Sequence, residues 1–412
     1  MLDWSGPNSF NGTDVYHSNA RLFTPLNASA DGWYEAVRAN QFRKSCKRLL
    51  LVEDDLLNAG LGFTARMFTF ALLWAMRTDR VLLEVPFDAK WGPAEQPPSA
   101  AMTMRSRWCD RPPYTMQCLY GPWTHCQAAA ADAADLPSLR KECPPPLCNT
   151  SEYRLKSVSK DAPVVRVKLS WIHNSPLLWS GVKSTAAGAV ARFLFGWPRA
   201  WVRDLAECVM SANHLKPRSF VALMIRDSIQ KRAEVRADRA ARAHGGLAKV
   251  GESFSIVQVV SRQLDLHVLW LQTSSAAALV DFSALAKADG RLHVAYTNNA
   301  RGDSDAWGGA NTARVMEEAI AGAVNGYVAS QAAVLVSPAG SLWTWLTASL
   351  ITTRTACRYS GSMPACPTVA RTCQVKHKGA ALLFAVAHDA ATLAPLDSMQ
   401  GPPGPCVRKP ST

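Results

Sequence analysis

Short apolar runs bounded by polar residues recur along the chain: KRLLLVEDD at 47–55, RVLLEVP at 80–86, SFVALMI at 219–225, HVLWLQT at 267–273, RLHVAYT at 291–297 and AVLVSP at 333–338. Runs of this length fit inner strands of a parallel sheet, which are buried on both faces and so lose the polar alternation of a half-exposed strand. Between them lie longer segments with helical spacing. RMFTFALLWAMRT follows the first strand, AGAVARFLFG and WPRAWVRDLAECVMSANH fill 187–214, and SFSIVQVVSRQL, AAALVDFSALAKA, TARVMEEAIAGAVNGYVAS and SLWTWLTASLI separate or follow the later strands. Strand and helix in alternation predict an α/β protein with two Rossmann-like halves.

The pattern sets the expected organisation. Residues 1–44, polar and aromatic without a clear period, read as an N-terminal arm of extended chain or short helices. A first Rossmann-like domain spans 45–215, interrupted by a long insertion at about 87–161 rich in Pro, Trp and Cys. The helical stretch 187–214, in which Pro198 suits a first helical turn, is expected to bridge the halves. A second Rossmann-like domain occupies 216–355, and 356–412 reads as a cysteine-bearing tail whose GPPGPCVRKPST end is expected to be partly disordered.

A length of 412 residues accommodates two such cores. The net charge of +13 favours anionic partners, and phosphate esters, nucleic acid, acidic glycans and membrane surfaces all qualify. No long Lys/Arg block and no helix-turn-helix, zinc-finger or RNA-recognition signature is present, so nucleic acid is not the expected partner. Eleven cysteines in proline-rich surroundings, without a CxxC pair, point to disulfides and an oxidising lumen. Sequons at Asn11, Asn27 and Asn149 agree with that compartment, expected to be the Golgi or ER lumen. An odd cysteine total leaves one thiol over, and Cys208, within a helical pattern, is the candidate. The stretch MLDWSGPNSF lacks the layout of a signal peptide, and FTFALLWAM at 68–76 is too short to span a bilayer, so no membrane anchor is visible.

Candidate chemistry collects at strand ends. The run VALMI stops at Arg226 and Asp227 and leads into a basic segment around Lys231 and Arg232. Carboxyl ends of parallel strands are where open α/β sheets take ligands, although a salt-bridged pair at a strand end is the plain alternative. In NAGLGF, Gly60 and Gly62 would let backbone amides approach an anion at a helix start, against the alternative of a tight turn without a ligand. Glu53, Asp54 and Asp55 read as a solvated strand edge in preference to a metal motif. Trp307, Gly308 and Gly309 read first as a structural turn and second as an acceptor contact.

Arg226 after its strand, Glu234, then LWLQTSS, DAWGG and VNGYVASQAAVLVSPAGSLWTWL resemble, in order, the motifs of the α1,6-/protein O-fucosyltransferase superfamily. The turn GLG with its long helix and TDRVLLEVP is similar to that group's N-terminal motif, and SPLLWSGVKSTAAGAVARFLFGWPRAW resembles a segment of the α1,6 branch. The resemblance spans about 47–350. It implies a GT-B-like fold with parallel sheets facing a cleft, a GDP-fucose donor, a glycan or glycoprotein acceptor, inversion at the anomeric carbon and no metal requirement or other cofactor.

Roles follow from the matched positions. Arg226, and Lys231 in the basic segment, would face the donor diphosphate, where a guanidinium fork neutralises the charge that grows as GDP leaves. Glu234 would take the acceptor proton as general base, with a helix-surface Glu pairing with Lys231 as the alternative. Ser274 and Ser275 stand where the family carries an acidic pair and would hydrogen-bond the nucleotide. Ser337 and Ser341 stand in the late donor motif and would hold phosphate oxygens, with helix capping as the alternative. His173, in the connection between halves, would touch the donor sugar. The chain departs from the pattern at Met224 and Asp227, where the family has His and a second Arg. Two other readings therefore stay open: a GT-B transferase using another sugar nucleotide, and a non-catalytic glycan- or nucleotide-sugar-binding protein.

Overall fold

The computed structural model describes residues 30–56, 60–85, 115–126, 162–173, 184–225, 250–299, 312–338, 342–350, 356–360, 372–376 and 383–387. The chain forms two compact units, Met1–Trp197 and Pro198–Thr412. Each contains parallel strands interleaved with helices, so the α/β expectation holds in both. Arg226, Lys231, Glu234, Ser341, the three sequons and the Trp307 turn lie outside the described residues, as do Asp227, Gly308 and Gly309.

In the first unit, β1 (Leu49–Glu53) lies between β2 (Val81–Val85) and β3 (Val164–Lys168), both parallel to it. All five residues of β1 and of β2 are buried, as continuous apolar runs demand. Strand β3 was not anticipated. Its VVRVK alternates buried and half-exposed positions, the signature of an edge strand, and it follows directly on the long insertion.

Within the arm expected to be extended chain or short helices, residues 30–41 form helix α1 (Ala30–Gln41), which buries Trp33 and Val37. Its Gln41 accepts the Leu82 amide at 3.1 Å, pinning the helix to β2. Helix α2 (Leu61–Arg77) begins earlier than the apolar run indicated, with Gly60 as its N-cap residue and Gly62 inside the first turn. Gly60 has φ −73° and ψ 160°, values open to any residue, so the turn does not require glycine there. A short helix, α3 (Leu169–His173), follows β3, and α4 (Ser184–Phe195) packs beside α1 and α2.

The insertion is anchored at residues 115–126. Trp123 packs edge-to-face on Phe68 of α2 and Phe195 of α4, with ring centroids 5.1 and 5.6 Å away, and donates its indole N–H to the Leu194 carbonyl at 2.7 Å. A disulfide joins Cys46, just before β1, to Cys126. Cys118 is disulfide-bonded too. So is Cys208, which corrects its assignment as the leftover thiol: a cysteine on a half-buried helical position is as available for pairing as one in a loop.

Glu84 supplies a further tie. Its carboxyl group, on β2, accepts the Met116 amide at 2.8 Å from a buried position. Burial pushes its pKa from 4.5 up to about 8, partly opposed by the Met116 amide. A group raised in this way stabilises the fold fully below its unfolded pKa, and the contribution is lost as pH rises toward 8. The slope is on the order of 1.4 kcal/mol per pH unit. Glu84→Gln removes the titration while keeping an acceptor for the amide. Urea midpoints recorded from about pH 4 to about pH 9 are therefore expected to shift in favour of the variant across that window; a constant gap between the two proteins would contradict a carboxyl that is buried in its neutral form.

The second unit begins with α5 (Ala200–Ala212), which the sequence had placed with the first domain. It buries Val202, Ala206 and Met210 and packs against the helix Thr312–Ser330 of this unit, which explains the position of the boundary. The sheet has β4 (Phe220–Ile225) next to β5 (Val268–Thr273), with β6 (His293–Ala295) beyond; on the other side of β4 lies β7 (Val334–Pro338), and all four run parallel. Helices α6 (Val250–Gln263) and α7 (Ala276–Asp289) cover one face, where Phe254, Val257, Phe282 and Ala286 meet Val221, Leu223, Leu269, Leu271 and Val336. Side chains alternate along a strand, so Met224, Gln272 and Ser337 belong to the opposite face. That face is approached by α8 (Thr312–Ser330) and α9 (Leu342–Leu350).

The segment expected to be a tail adds three strands to this sheet. β10 (Leu383–Ala387) pairs antiparallel with β7, β9 (Thr372–Lys376) antiparallel with β10, and β8 (Ala356–Ser360) parallel with β9. An open edge at β7 is thereby covered by the chain's own C-terminal region. No helix among the described residues is long and apolar enough to cross a membrane.

Candidate functional site

Both units have a strand from which the chain departs in opposite directions, and the crevice beyond the carboxyl ends of such a pair is where open α/β sheets bind ligands. In the second unit the pair is β4 and β7, because β5 and β6 extend from one side of β4 and β7 lies on the other. Arg226 is the next residue after the fully buried β4. Ser274 and Ser275 follow β5, the neighbour of β4 on one side; Ser337 lies in β7, the neighbour on the other. The sheet therefore sets side by side the strand that precedes Arg226 in the sequence, the strand that precedes Ser274 and Ser275, and the strand that bears Ser337.

Their side chains are not equivalent. Ser275, which is 2% exposed, caps α7 by accepting the Ala278 amide at 3.2 Å, so its hydroxyl serves the helix. Ser274 is half-buried. Ser337 is completely buried. The register pairs Leu223 with Val336 and Met224 with Gln272, which sets Ser337, Met224 and Gln272 side by side across the sheet. Met224 is buried in that row, an apolar residue where the resembling family carries histidine. Replacing Ser275 with alanine is expected to cost about 1 kcal/mol through loss of the cap, measured as a lower urea midpoint. Nucleotide affinity should be unchanged; a selective loss of affinity would return the hydroxyl to the site.

Gln272 is a residue that the sequence reading passed over. It is 4% exposed and makes two side-chain hydrogen bonds: its Nε2 donates to the Asn325 carbonyl of α8 at 3.0 Å, and its Oε1 accepts the Trp343 indole N–H of α9 at 2.9 Å. Nearby, Thr297 donates to Asn299 Oδ1 at 2.6 Å and lies 3.3 Å from Asn325 Oδ1. A lone polar residue ending an apolar run was the available signal: inside a fully covered sheet, it must find partners.

In the first unit the corresponding pair is β1 and β3. Glu53, 2% exposed, forms an ion pair with Arg166 of β3, so it is not the solvated edge that was expected. Burial raises its pKa, and the Arg166 charge opposes the rise. Asp55 accepts the backbone amide of Ser170 at 2.8 Å and its hydroxyl at 2.5 Å, tying the loop after β1 to the start of α3. Burial raises the Asp55 pKa, with the Ser170 bonds opposing. Gly60 and Gly62 sit at the uncapped start of α2, with no acidic residue in its first turn. His173 ends α3. Among the described residues, the grouping of metal-type ligands is Cys46, His125 and Cys126, and its two sulfurs are joined in the disulfide.

No protein-family model matches the chain, and no curated protein matches it. Among solved structures, it is similar to POFUT1 in complex with GDP-fucose, with 12% identity and a TM-score of 0.42 over 75% of this chain and 95% of that one. It is also similar to a mutant of Arabidopsis thaliana FUT1 in complex with GDP, at 12% identity and a TM-score of 0.43, covering 96% of this chain and 92% of that one. The apo-form of POFUT1 gives 13% identity and a TM-score of 0.41 over 74% and 96% of the two chains.

Proposed function

We propose that this protein is a GT-B-like glycosyltransferase that moves fucose from GDP-fucose to a hydroxyl of a glycan or glycoprotein, with inversion and without a metal, in the Golgi or ER lumen. The observation that carries the reading is the order of the second sheet, where β4, the strand that precedes Arg226 in the sequence, lies between the strand that precedes Ser274 and the strand that bears Ser337. The order of the sequence motifs along 47–350 supports the same class.

In this reading the acceptor oxygen attacks C1 of the sugar from the face opposite the diphosphate. The new C1–O bond forms as the bond to the phosphate oxygen breaks, its electron pair leaves with GDP, and Glu234 takes the acceptor proton. Arg226 and Lys231 offset the charge that accumulates on the leaving diphosphate. A guanidinium fork matches phosphate oxygens in two places, which an ammonium cannot do.

Capping of α7 by Ser275 favours a second reading, a transferase of the same fold with another sugar nucleotide, because it leaves fewer groups after β5 to read guanine. A thermal-shift panel of GDP, GDP-fucose, GDP-mannose and UDP-sugars separates the readings, since a ligand that binds the native state raises the melting temperature by mass action. Stabilisation by GDP and GDP-fucose that Arg226→Ala abolishes is the expected result. Stabilisation by UDP-sugars alone would replace the donor. Absence of any shift from folded protein would leave a glycan-binding protein without turnover.

A further inference from the structure

We infer that Cys46, His125 and Cys126 form a Zn²⁺ site that becomes available when the disulfide between the two cysteines is reduced. Two thiolates and an imidazole are a donor set that this cation takes readily. The inference is independent of the donor reading, because all three residues belong to the first unit.

In the disulfide-bonded protein the three ligand atoms already lie within 4.8 Å of one another. His125 Nε2 is 3.8 Å from Cys46 Sγ. Zinc–ligand bonds of about 2.0–2.3 Å at tetrahedral angles set ligand atoms about 3.5–3.8 Å apart, so this nitrogen–sulfur edge is near its final length. What remains is for the two sulfurs to part once the bond between them is broken. The imidazole is oriented by stacking on Phe42, with ring centroids 6.1 Å apart and planes inclined by 25°.

Both ligand-bearing segments are also held by bonds other than the disulfide. Arg43 donates to the carbonyls of Arg48 and Asp79, each at 3.0 Å, and so closes the loop that contains Cys46. The Thr124 hydroxyl donates to the Gln41 carbonyl at 2.8 Å and accepts the Cys126 amide at 3.1 Å. Cys126 is buried in the apolar cluster of Leu49, Leu51 and Val81, with Cys46 packed against it. A reduced pair therefore stays beside His125, and little ordering is left for the metal to impose.

Access and electron balance are both provided for. Cys46 is half-buried and His125 exposed, so reductant, cation and a water for the fourth position reach the site from solvent. A dithiol supplies the two electrons: its first thiolate attacks the Cys46 sulfur and displaces the Cys126 thiolate, and its second sulfur then closes its own disulfide and releases Cys46. Zn²⁺ takes both sulfurs as thiolates, with two protons released to solvent, and neutral His125 donates the lone pair of Nε2. The cation thereby replaces the covalent link between Cys46 and residues 125–126.

The test is Zn²⁺ binding by the full chain reduced with a phosphine, which is oxidised to its oxide with the oxygen of water. Competition with a chromophoric chelator gives stoichiometry and Kd for wild type, His125→Ala and Cys46→Ser/Cys126→Ser. Reduced wild type is expected to take up about one more Zn²⁺ than the double variant treated identically, a difference that cancels the contribution of the other cysteines. His125→Ala should raise the Kd of that Zn²⁺ about tenfold or more, since even a partner in the outer shell of a metal costs that much. Co²⁺ in place of Zn²⁺ should give thiolate charge-transfer and tetrahedral visible bands that the double variant lacks. The urea midpoint of reduced wild type should rise with Zn²⁺ and not with Mg²⁺.

Should reduced protein fail to fold without metal, recovery of the near-ultraviolet dichroism of Trp123 on adding Zn²⁺, weakened in His125→Ala, is the expected result. Should the double variant fail to fold, His125→Ala, which keeps both cysteines, decides by the same Kd. Equal uptake by reduced wild type and the double variant would overturn the inference. So would wild-type affinity in His125→Ala, or the same uptake before and after reduction.

Discussion

Arg226→Ala is expected to lower kcat/KM for GDP release from GDP-fucose by two to three orders of magnitude, roughly what removing one preorganised charge-stabilising donor costs. The neighbouring position, where the resembling family has a second arginine, is Asp227, and a carboxylate there opposes binding of a diphosphate. Arg226→Lys should recover only part of the loss, since it restores the charge without the paired donors. Wild-type rates in the alanine variant would remove Arg226 from the mechanism and leave it as a strand-end charge.

The largest effect on stability is expected from the Cys46–Cys126 disulfide. It closes a loop with a sequence separation of 80 that includes β1, α2 and β2, and so two of the three strands of the first sheet. Chain-entropy estimates put the loss of such a link at about 4 kcal/mol. The Cys46→Ala/Cys126→Ala variant should show it as a lower denaturant midpoint for the first unit, followed by the near-ultraviolet dichroism of Trp123 and its aromatic neighbours. A midpoint equal to wild type would mean that Trp123, packed on Phe68 and Phe195, and the Glu84 link hold residues 115–126 in place without the covalent bond.

The inner strands were legible because burial on both faces leaves little room for anything but apolar residues. SFVALMI became Phe220–Ile225, and HVLWLQT became Val268–Thr273, nearly residue for residue. Elements with weaker periodic signals were left undecided or missed. In α1, left open between extended chain and short helix, two buried hydrophobics, Trp33 and Val37, carry a helix whose identity depends on packing against partners distant in sequence. Strand β3 is five residues of alternating pattern that only pairing with β1 distinguishes from loop.

The strand ends were legible for the same reason, so Ser274 and Ser275 could be put just after one strand and Ser337 near the end of another. What their hydroxyls do could not, because capping of α7 and full burial of Ser337 depend on geometry that spacing does not encode. The Glu53–Arg166 pair illustrates the converse. Three consecutive acids after an apolar run look like a solvated edge until a strand from beyond the insertion brings an arginine alongside.

The central claim is that the second sheet edge holds a GDP-sugar for transfer. Its most direct test is GDP release by the intact protein from GDP-fucose, compared with GDP-mannose and UDP-sugars, in the presence of a mixed glycoprotein acceptor. Acceptor-dependent GDP release from GDP-fucose, with fucose recovered covalently on the acceptor and lost in Glu234→Gln, is the predicted result. Folded protein that consumes none of these donors under the same conditions would contradict it.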